Sequence, residues 1–402
     1  MRIGIVGGSI SGCAACVALL QLGHGVEVFE RAVGALEGRG AGIATLPSVL
    51  EGLRERKIIG ERLETLPFER NRYFVRLGVD DRLGRTLATR PDSLVALNWS
   101  DLYLKLRKQV PHEVYHAGRH VVALEAGEGK RPRLRLEDGA KEDFDLAIFA
   151  DGYNSLGRRY VSPETKQTYR GYVLWRGTVD RRRLSDGGRV LERSFFRLYY
   201  REGHAGVYLV PLADREENVS RANWGCYLPV RDLQAFLVDR EGRQHSGSIP
   251  PGLMRASQES DLKLWAREAL PPYFGDIVEA STDTFAQAIY TADVARYHRN
   301  RTCVLGDAGI LVQPFTVSGV FKATNDALEL AKALNGADHV DEALERWIAK
   351  ETELGRRLLS VGERLEQLLI WRVPDFEAMD ADSLQRWLDE IRSIQSEAFQ
   401  RQ

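Results

Sequence analysis

The sequence predicts an α/β fold in which a parallel sheet is interleaved with an antiparallel sheet and followed by C-terminal helices. The chain opens with an apolar strand, a glycine-rich loop, a helix and a second strand, which together make a βαβ unit. The stretch 170–230 is rich in aromatic residues and valine in alternating runs, which is typical of antiparallel strands. An apolar run with Gly-Asp returns at 303–309, so the parallel sheet resumes after the antiparallel block.

The first βαβ unit has the clearest signals. The run RIGIV at 2–6 is rich in isoleucine and valine and is followed by glycines, which indicates a buried parallel strand. Residues 11–21 indicate a helix that Gly23 and Gly25 end, and VEVFE at 26–30 indicates the next strand. The further predicted elements are a helix over 46–66, paired strands over 68–95 with a turn at 79–84, a helix over 101–110, a pair of strands over 120–139, a buried strand over 145–152, strands over 172–179, 195–203 and 205–212, a helix over 262–270, a buried strand over 303–309, a long amphipathic helix over 339–369 and a short helical tail over 371–402.

Composition excludes several classes of protein. At about 150 residues per domain, 402 residues allow two or three domains. The 56 basic and 57 acidic residues nearly cancel, so nothing indicates a nucleic-acid or anionic-membrane partner. The apolar run at 13–20 is too short to span a bilayer, and the N-terminus enters a strand without signal-peptide features. Four cysteines make no disulfide framework, so we expect a reducing cytoplasm.

Cys13 and Cys16 have C-x-x-C spacing on the first predicted helix. Small cysteines are commonly buried where a helix packs against a sheet, and this is the favoured interpretation. A redox pair or metal ligands are the alternative. We predict no metal site.

The loop GGSISG at 7–12 lies between the first strand and the first helix. Unpaired amides at a helix N-terminus bind phosphate, and glycines let a pyrophosphate approach the backbone. Gly7 and Gly12 fit the G-x-G-x-x-G spacing, whereas Ser9 takes the middle position and Gly8 is an extra glycine. We therefore expect this loop, including Ser11, to bind a dinucleotide.

Glu30 ends the second strand. A carboxylate at this point can accept hydrogen bonds from ribose hydroxyls, and it would repel the ribose phosphate of NADP. The order strand, loop, helix, strand and acid favours a dinucleotide site; a tight βα turn without a ligand is the alternative.

Two later segments distinguish FAD from NAD. ADGYNSLGRR at 150–159 has the pattern A-D-G-x-x-S-x-x-R, and CVLGDAGILVQPF at 303–315 has a strand followed by Gly-Asp, a loop and proline. With the first loop, they resemble the three fingerprints of the class A flavoprotein aromatic hydroxylases, which have the para-hydroxybenzoate hydroxylase fold. Four runs are similar to the 2,6-dihydroxypyridine 3-hydroxylase subgroup: GGSISG at 7–12, WSDLY at 99–103, GYVLWRG at 171–177 and KATNDA at 322–327.

The resemblance covers nearly the whole chain and implies a function. It implies FAD as cofactor, NADH or NADPH as reductant, and molecular oxygen and a small aromatic or heteroaromatic molecule, phenol-like or hydroxypyridine-like, as substrates. The ring would be oxygenated through a flavin C4a-hydroperoxide. The expected regions are a Rossmann-like FAD-binding domain at 1–70, 98–165 and 285–335, a substrate domain at 71–97 and 166–284, and a C-terminal helical region at 336–402.

The resemblance also assigns roles to residues of the two later segments. Asp307, after Gly306, would bind a ribitol hydroxyl of FAD, and Asp151 would serve both FAD and NAD(P)H. Arg158 belongs to the Asp-Gly segment, and Arg39, in the glycine-rich loop 38–42, is a candidate for the FAD diphosphate or ribitol. The alternative for the aspartates is a turn cap, and for the arginines a surface ion pair.

The loop after Gly-Asp would face the flavin pyrimidine edge with its backbone amides. Its candidate residues are Pro314, Ser318 and Gly319, and the helix that follows would stabilise negative charge on the reduced flavin. Relatives usually have histidine or alanine shortly after Gly-Asp, and small residues in this loop. Here Ile310 and Leu311 follow, and the loop reads PFTVSGVFKA at 314–323. A different substrate shape is the favoured explanation, and altered chemistry is the alternative.

The antiparallel block is expected to form the wall of the substrate pocket. Because alternate residues of a strand face opposite sides, only some of its aromatic residues can point into the pocket, and the sheet core is the alternative for each. The pocket candidates are Tyr172, Trp175, Tyr199, Tyr208, Trp224 and Phe315. His204 lies in the turn EGHAG and is expected to be exposed to solvent, and no general base is predicted.

Three other functions remain open from the sequence. An FAD oxidoreductase could perform rearrangement, epoxidation or dehydrogenation without hydroxylation. A flavin-binding protein without catalysis and an NAD dehydrogenase built on the first βαβ unit are the others. The helix over 339–369 is expected to pack on the FAD-binding domain or on a second subunit, so a homodimer is compatible with the sequence.

Overall fold

The computed structural model describes residues 1–34, 42–60, 62–76, 81–127, 129–212 and 220–399. Its strands are β1 Arg2–Val6, β2 Gly25–Glu30, β3 Gly42–Thr45, β4 Leu66–Pro67, β5 Arg70–Val75, β6 Arg85–Pro91, β7 Val95–Asn98, β8 Tyr115–Ala117, β9 Val121–Glu125, β10 Arg133–Leu136, β11 Lys141–Asp143, β12 Leu146–Phe149, β13 Thr168–Asp180, β14 Ser194–Tyr200, β15 Gly203–Pro211, β16 Ser220–Pro229, β17 Ser248–Ile249, β18 Thr282–Thr291, β19 His298–Arg299 and β20 Thr302–Val304. Its α-helices are α1 Ile10–Gln21, α2 Pro47–Glu55, α3 Trp99–Gln109, α4 Leu156–Val161, α5 Leu233–Phe236, α6 Ala256–Ala269, α7 Pro272–Ala280, α8 Gly319–Leu334, α9 Val340–Glu366 and α10 Ala381–Glu397.

The first sheet is parallel in its centre, with strand order β19-β20-β12-β1-β2-β8. β1 pairs in parallel with both β2 and β12, and the apolar residues of all three strands are buried because helices cover the sheet. Cys13 and Cys16 are fully buried in α1. Burial raises the pKa of Cys16 to about 12 and that of Cys13 further. Their interpretation as small packing residues is confirmed.

The second sheet is mainly antiparallel, with strand order β17-β18-β13-β16-β15-β14-β5-β6. Alternation along its strands creates two faces. The outer face packs with α6 and α7 around Phe196, Trp224 and Phe274. The inner face, which includes Tyr199 and Tyr227, is covered by α9, α10 and the loop at 314–318. Interleaved parallel and antiparallel sheets confirm the predicted fold class.

The two sheets take their strands from interleaved stretches of the chain. The parallel sheet takes β1, β2, β8, β12, β19 and β20, whereas the antiparallel sheet takes β5, β6 and β13 to β18. β18 spans Thr282–Thr291 and therefore crosses the predicted boundary between 284 and 285. Its register with β13 places the whole strand in the antiparallel sheet.

The predicted helix over 46–66 is wrong in its second half, because α2 ends at Glu55. Lys57 has a left-handed φ of 56°, and the amide of Ile58 donates to the carbonyl of Leu53 at 2.8 Å. This is the Schellman geometry that closes a helix, and a left-handed residue cannot continue one. Residues 58–65 then lead to the short strand β4.

The C-terminal region also differs from its prediction. α9 ends at Glu366 and passes into one turn of π-helix, Gln367–Trp371, while α10 has 17 residues and is not a short tail. Apolar residues of both helices, such as Leu358 and Trp387, pack against the inner face of the antiparallel sheet. No helix in the described part of the chain combines the length and apolar character that a membrane span needs.

Glu366 joins this C-terminal region to the sheet. Its buried carboxylate accepts hydrogen bonds from Arg170 at 2.7 Å and from Tyr172 at 3.0 Å, both on β13. It also accepts from Gln313 at 2.7 Å and from Trp371 at 3.1 Å. Burial alone would raise the pKa of Glu366, but hydrogen bonds from Arg170, Gln313 and Trp371 hold it below its ordinary value.

We expect Glu366→Gln to lower the free energy of unfolding by about 3 kcal/mol, because it leaves the half-buried Arg170 without its ion-pair partner. Urea unfolding at pH 7 measures this loss. Glu363→Gln, an exposed change one turn earlier in α9, is the matched control and should change stability by less than about 0.5 kcal/mol. Equal effects of the two substitutions would contradict the role given to Glu366.

Candidate functional site

The first glycine loop passes directly over the carboxyl ends of β1 and β12. Gly7 has a φ of +99°, and a Cβ there would lie 2.3 Å from the carbonyl oxygen of Ala150. A Cβ at Gly12 would lie 1.8 Å from the carbonyl oxygen of Gly7. Both glycines are therefore required by close backbone packing, and Ser9 is the N-cap of α1. Close packing of this kind is required in a tight βα turn, and the phosphate-binding role of the loop stays a prediction.

The extra glycine, Gly8, is required by a different contact. A Cβ at Gly8 would lie 2.4 Å from the hydroxyl of Tyr115, which stands on the neighbouring edge strand β8. The same hydroxyl lies 3.1 Å from the carbonyl oxygen of Gly8 and donates to it. Arg107 lies 3.8 Å above the Tyr115 ring. Gly8 is thus needed by a tertiary contact that spacing within the loop could not reveal.

Glu30, which was predicted to bind a ribose, also stabilises the glycine loop. One carboxylate oxygen accepts from the amide of Gly8 at 2.9 Å, and the other accepts from the amide of Ala32 at 2.8 Å. Each carboxylate oxygen has a second lone pair. The side chain borders a cavity of about 460 Å³, so these lone pairs remain available to ribose hydroxyls.

This cavity lies at the carboxyl ends of the parallel strands, where doubly wound sheets bind ligands. Its lining includes Gly7, Ser9, Glu30 and Asp151, each of which is among the residues predicted to bind the cofactor. It also includes Arg31, Arg119 and His120, which no motif indicated, and three residues inside the quoted motifs that had been given no role: Trp99, Asn154 and Arg159. The only sequence signal of the first three is their position just after strands, which is too general to identify them.

Asp151 has one satisfied and one free carboxylate oxygen. Oδ2 accepts from the amide of Leu156 at 2.7 Å, so the predicted capping alternative describes half of this residue. Oδ1 is buried and has no hydrogen-bond partner among the described residues. Burial raises the pKa of Asp151, although hydrogen bonds from Ser155 and Leu156 oppose the change. An unpaired buried acceptor at the cavity wall points to a ligand donor.

Arg158 connects the Asp-Gly and Gly-Asp segments, and the surface ion-pair alternative is wrong for it. Its guanidinium is buried and donates to the carbonyl oxygens of Asp307 at 2.8 Å and Ala308 at 3.2 Å, and also to that of Tyr153. The Asp307 side chain is left exposed. Gly306, with a φ of +56°, donates its amide to the buried Asp326 at 2.8 Å.

The loop after Gly-Asp ends in strained backbone. Pro314–Thr316 forms a short 3-10 turn, Val317 has a left-handed φ of 59°, and α8 begins at Gly319. A β-branched residue in this conformation is uncommon and is held there by its surroundings. Ser318 is fully buried, and its hydroxyl lies 2.8 Å from that of Thr316.

The inner face of the antiparallel sheet carries a row of opposed residues. Arg197 on β14 pairs with Gly206 on β15, Gly206 with Gly225 on β16, and Gly225 with Arg176 on β13. The two glycines are partly exposed, although most of the sheet around them is buried. We call the space over Gly206 and Gly225 the glycine trough. Arginines stand at both of its ends.

Two further pairs form the sides of the glycine trough. On one side, Tyr208 pairs with Asn223. The Tyr208 hydroxyl donates to the carbonyl oxygen of Gly42 at 2.9 Å, and Asn223 accepts the amide of Gly42 at 2.8 Å. On the other side, the rings of His204 and Tyr227 stack with centroids 4.6 Å apart. β3 therefore contacts one side of the trough directly.

The pocket candidates divide between the two faces. Tyr199 and Tyr208 lie on the inner face, and Phe315 packs edge-on against Tyr227 with centroids 5.4 Å apart. Trp175 and Trp224 lie in the core on the outer face, so the prediction that they line the pocket is wrong. On β13 and β16 each tryptophan alternates with the residues that face inward, so its side chain points to the opposite face. The sixth candidate, Tyr172, faces inward but its hydroxyl is bound to Glu366.

His204 is buried with 2% of its surface exposed, so the prediction that it faces solvent is wrong. The π-helical turn Gln367–Trp371 covers the hairpin turn that carries His204. Nδ1 of His204 lies 3.3 Å from the carbonyl oxygen of Leu369. A carbonyl only accepts, so Nδ1 carries the proton and Nε2 has the free lone pair. Burial lowers the pKa of His204 to about 3, with Arg197 contributing, so the ring is neutral.

Arg39, with the loop at 38–41, lies outside the described residues, as does the start of the predicted turn at 79–84. In the part of the chain that the structure describes, no group of three or more histidine, cysteine or acidic residues is placed to hold a metal ion.

Known proteins resemble this chain along most of its length. A family model described as FAD binding domain-like matches residues 169–291. The 2,6-dihydroxypyridine 3-monooxygenase of Paenarthrobacter nicotinovorans is 26% identical over 377 residues, which cover 92% of this chain and 91% of that protein. The salicylate hydroxylase of Pseudomonas putida is also 26% identical over 377 residues, covering 86% and 81%. The solved structure of 2,6-dihydroxypyridine-3-hydroxylase from Arthrobacter nicotinovorans matches with a TM-score of 0.84 at 25% identity over 92% of each chain.

We expect Gly8→Ala to weaken binding of a dinucleotide cofactor roughly tenfold, because the new methyl group meets Tyr115 and displaces the loop amides. The double variant Gly8→Ala with Tyr115→Leu should recover most of the affinity. Titration of cofactor-free protein with FAD measures both. Gly127→Ala, whose nearest contact would be a lysine side chain at 3.5 Å, is the control. Failure of the second substitution to restore binding would disprove the steric explanation.

We also expect His204 to make stability depend on pH. Its pKa falls from 6.5 to about 3 on folding, so between these values the unfolded chain binds a proton that the folded chain does not. Stability is therefore full above 6.5 and declines as the pH falls, by up to about 1.4 kcal/mol per pH unit. Urea unfolding between pH 7 and 5 should show a shallower decline for His204→Asn than for the unchanged protein. His112→Asn, at an exposed position, should leave the slope unchanged.

Proposed function

We propose that this chain, a flavoprotein monooxygenase of the class A aromatic-hydroxylase type with FAD as its cofactor, uses NADH or NADPH to hydroxylate a small aromatic or heteroaromatic ring. The phenol-like and hydroxypyridine-like substrates named for its relatives support this substrate class. The glycine trough is the observation that carries the proposal, because its two glycines are partly exposed on an otherwise buried sheet face.

The residues around the 460 Å³ cavity fit FAD. The amides of the loop at 7–12 would hold the diphosphate, and Glu30 would hold the adenosine ribose. The buried and unpaired Oδ1 of Asp151 and the exposed carboxylate of Asp307 would accept hydrogen bonds from cofactor hydroxyls. Arg119 and Arg159 add positive charge at the cavity wall.

Bound FAD, once reduced by NADH or NADPH, supplies the activation of molecular oxygen and its transfer to the ring. The chain contributes position and exclusion of water. The glycines of the trough allow a flat ring to approach the sheet, while Tyr208, Tyr227 and Phe315 limit its outline. The apolar faces of α9 and α10 close the inner face behind them, which keeps water from the reacting groups.

The bulky loop after Gly-Asp supports the interpretation as a different substrate shape. Phe315 packs against Tyr227 and lies 5.5 Å from His204, centroid to centroid. Its ring therefore belongs to the side of the trough and reduces the space for substrate. Ile310 and Leu311 are buried, and Leu311 pairs with Ala292, so they stabilise the scaffold.

Two further proposals concern the surroundings of the protein. We infer a cytoplasmic location, which the four free and buried cysteines support. A homodimer stays a prediction, and sedimentation of the FAD-loaded protein is the measurement that addresses it.

We expect the purified protein to show flavin absorbance bands that bleach on addition of NADH or NADPH without air and return on admission of oxygen. Hydroxylated aromatics, beginning with 2,6-dihydroxypyridine and salicylate, should accelerate cofactor oxidation by at least about tenfold, since substrate controls productive turnover. Mass spectrometry should find one added oxygen atom, and that atom should derive from labelled oxygen gas.

Two results would count against parts of this proposal. Oxidation of NAD(P)H that releases only hydrogen peroxide with every tested ring would indicate an oxidoreductase without oxygen insertion. A product of altered skeleton without the labelled atom would indicate rearrangement or dehydrogenation. The variant Asp151→Asn keeps the shape of the side chain but removes its negative charge. It should weaken FAD binding in either case.

A further inference from the structure

A second cavity, of about 520 Å³, lies between α2, α8, α9 and the residue Phe399 that follows α10. Among the described residues it shares no lining side chain with the 460 Å³ cavity or with the glycine trough. Each of the three helices contributes residues three or four positions apart, which lie on one helix face. On α8 these residues run from Phe321 to Lys332, so the cavity extends about 16 Å along this helix.

Much of the wall of this cavity is apolar. α8 contributes Phe321 and Leu328, α9 contributes Leu354, and α2 contributes Val49. The ring of Phe399 meets that of Phe321 edge-on, with centroids 6.1 Å apart. Cavities of this size that combine apolar side chains with a few polar groups typically bind small organic molecules. The body of a ligand at this place would therefore be apolar and elongated.

Acidic side chains neutralise only part of the positive charge around this cavity. Lys332 and Lys350 both face Glu329, with nitrogen–oxygen distances of 3.7 and 3.6 Å, so one carboxylate serves two lysines. The other acidic residue of the lining, Glu351, lies 3.3 Å from Lys322, which belongs to the buried face of α8. The acids that line the cavity are thus engaged with lysines.

Arg357, on α9, is a half-buried cation in the same lining. Its Nε is buried without a hydrogen-bond partner, and its guanidinium has no ion-pair partner among the described residues. A buried donor in this state is costly unless another group completes it. Arg170 shows the usual arrangement in this protein, since Glu366 neutralises it. The state of Arg357 therefore indicates where an anionic group would bind.

We propose that this cavity is a second ligand site, which binds an amphipathic carboxylate: a monocarboxylic acid with an extended apolar chain. The planar guanidinium of Arg357 matches the two oxygens of a carboxylate, and the chain would lie along α8 over Phe321 and Leu328. An inorganic anion would leave the apolar wall uncovered, and a neutral hydrocarbon would leave Arg357 unpaired. The site uses none of the residues proposed to hold FAD or the aromatic substrate, so it does not depend on the proposed reaction.

The test measures binding without turnover. FAD-loaded protein is dialysed to equilibrium against octanoate or decanoate, and each is compared with its amide, which keeps the chain but lacks the charge. An alkyl chain is chosen because the substrate proposed for the trough is an aromatic ring. We expect about one carboxylate per chain, bound at least about tenfold more tightly than the matched amide.

Variants then assign the preference to Arg357. Arg357→Gln should weaken carboxylate binding about tenfold and leave the amide within about threefold, whereas Arg357→Lys should retain part of the preference. Arg356→Gln is the matched control, because Arg356 is the preceding residue of α9 and is exposed outside the cavity. Leu328→Trp, which fills the cavity, should weaken carboxylate and amide alike. Circular dichroism and an intact flavin spectrum establish that each variant is folded.

The outcomes separate this inference from the proposed function. Equal binding of carboxylates and amides by the unchanged protein, or no binding of any of the four probes, overturns the inference. Equal losses in Arg357→Gln and Arg356→Gln, or full binding by Leu328→Trp, also overturn it. Carboxylate binding that responds to these variants supports the site even when no ring is oxygenated, because the absence of oxygenated product counts only against the monooxygenase reaction.

Discussion

The carboxylate of Glu366 fixes the arrangement of the site, because its hydrogen-bond donors come from three parts of the chain. Arg170 and Tyr172 belong to the antiparallel sheet. Gln313 precedes the loop that carries Phe315, and Trp371 ends the π-helical turn that follows α9. A buried carboxylate must keep these donors or lose its charge. The sheet, the loop and the C-terminal helices are therefore held in one relative position.

A second buried ion cluster supports the Gly-Asp segment from behind. Lys322 and Asp326, on α8, pair with each other, and Lys322 also lies 3.3 Å from Glu351 on α9. Burial alone would lower the pKa of Lys322, but Asp326 and Glu351 raise it, so the lysine keeps its charge. Because Asp326 accepts the amide of Gly306, the cluster sets the position of the neighbouring Asp307.

In contrast to the Glu366 and Lys322 clusters, the groups beside the proposed ligand sites make few hydrogen bonds within the chain. Oδ1 of Asp151 is buried without a hydrogen-bond partner among the described residues, and the hydrogen bonds found for Arg197 and His204 use only Nε and Nδ1. Natural interiors rarely tolerate such groups unless a ligand completes them. Asp151 borders the 460 Å³ cavity, whereas Arg197 and His204 border the glycine trough.

The sequence by itself determined the parallel sheet, the cofactor loop and the order of the three fingerprints, because local spacing controls a βαβ turn and its glycines. Only the tertiary structure decided which aromatic residues face the site. The alternation of side chains along β13 and β16 places Trp175 and Trp224 in the core on the outer face of the antiparallel sheet. The π-helical turn Gln367–Trp371 buries His204. The contacts that position the site, such as Gly8 with Tyr115 and Tyr172 with Glu366, join residues distant in sequence, and no local pattern records them.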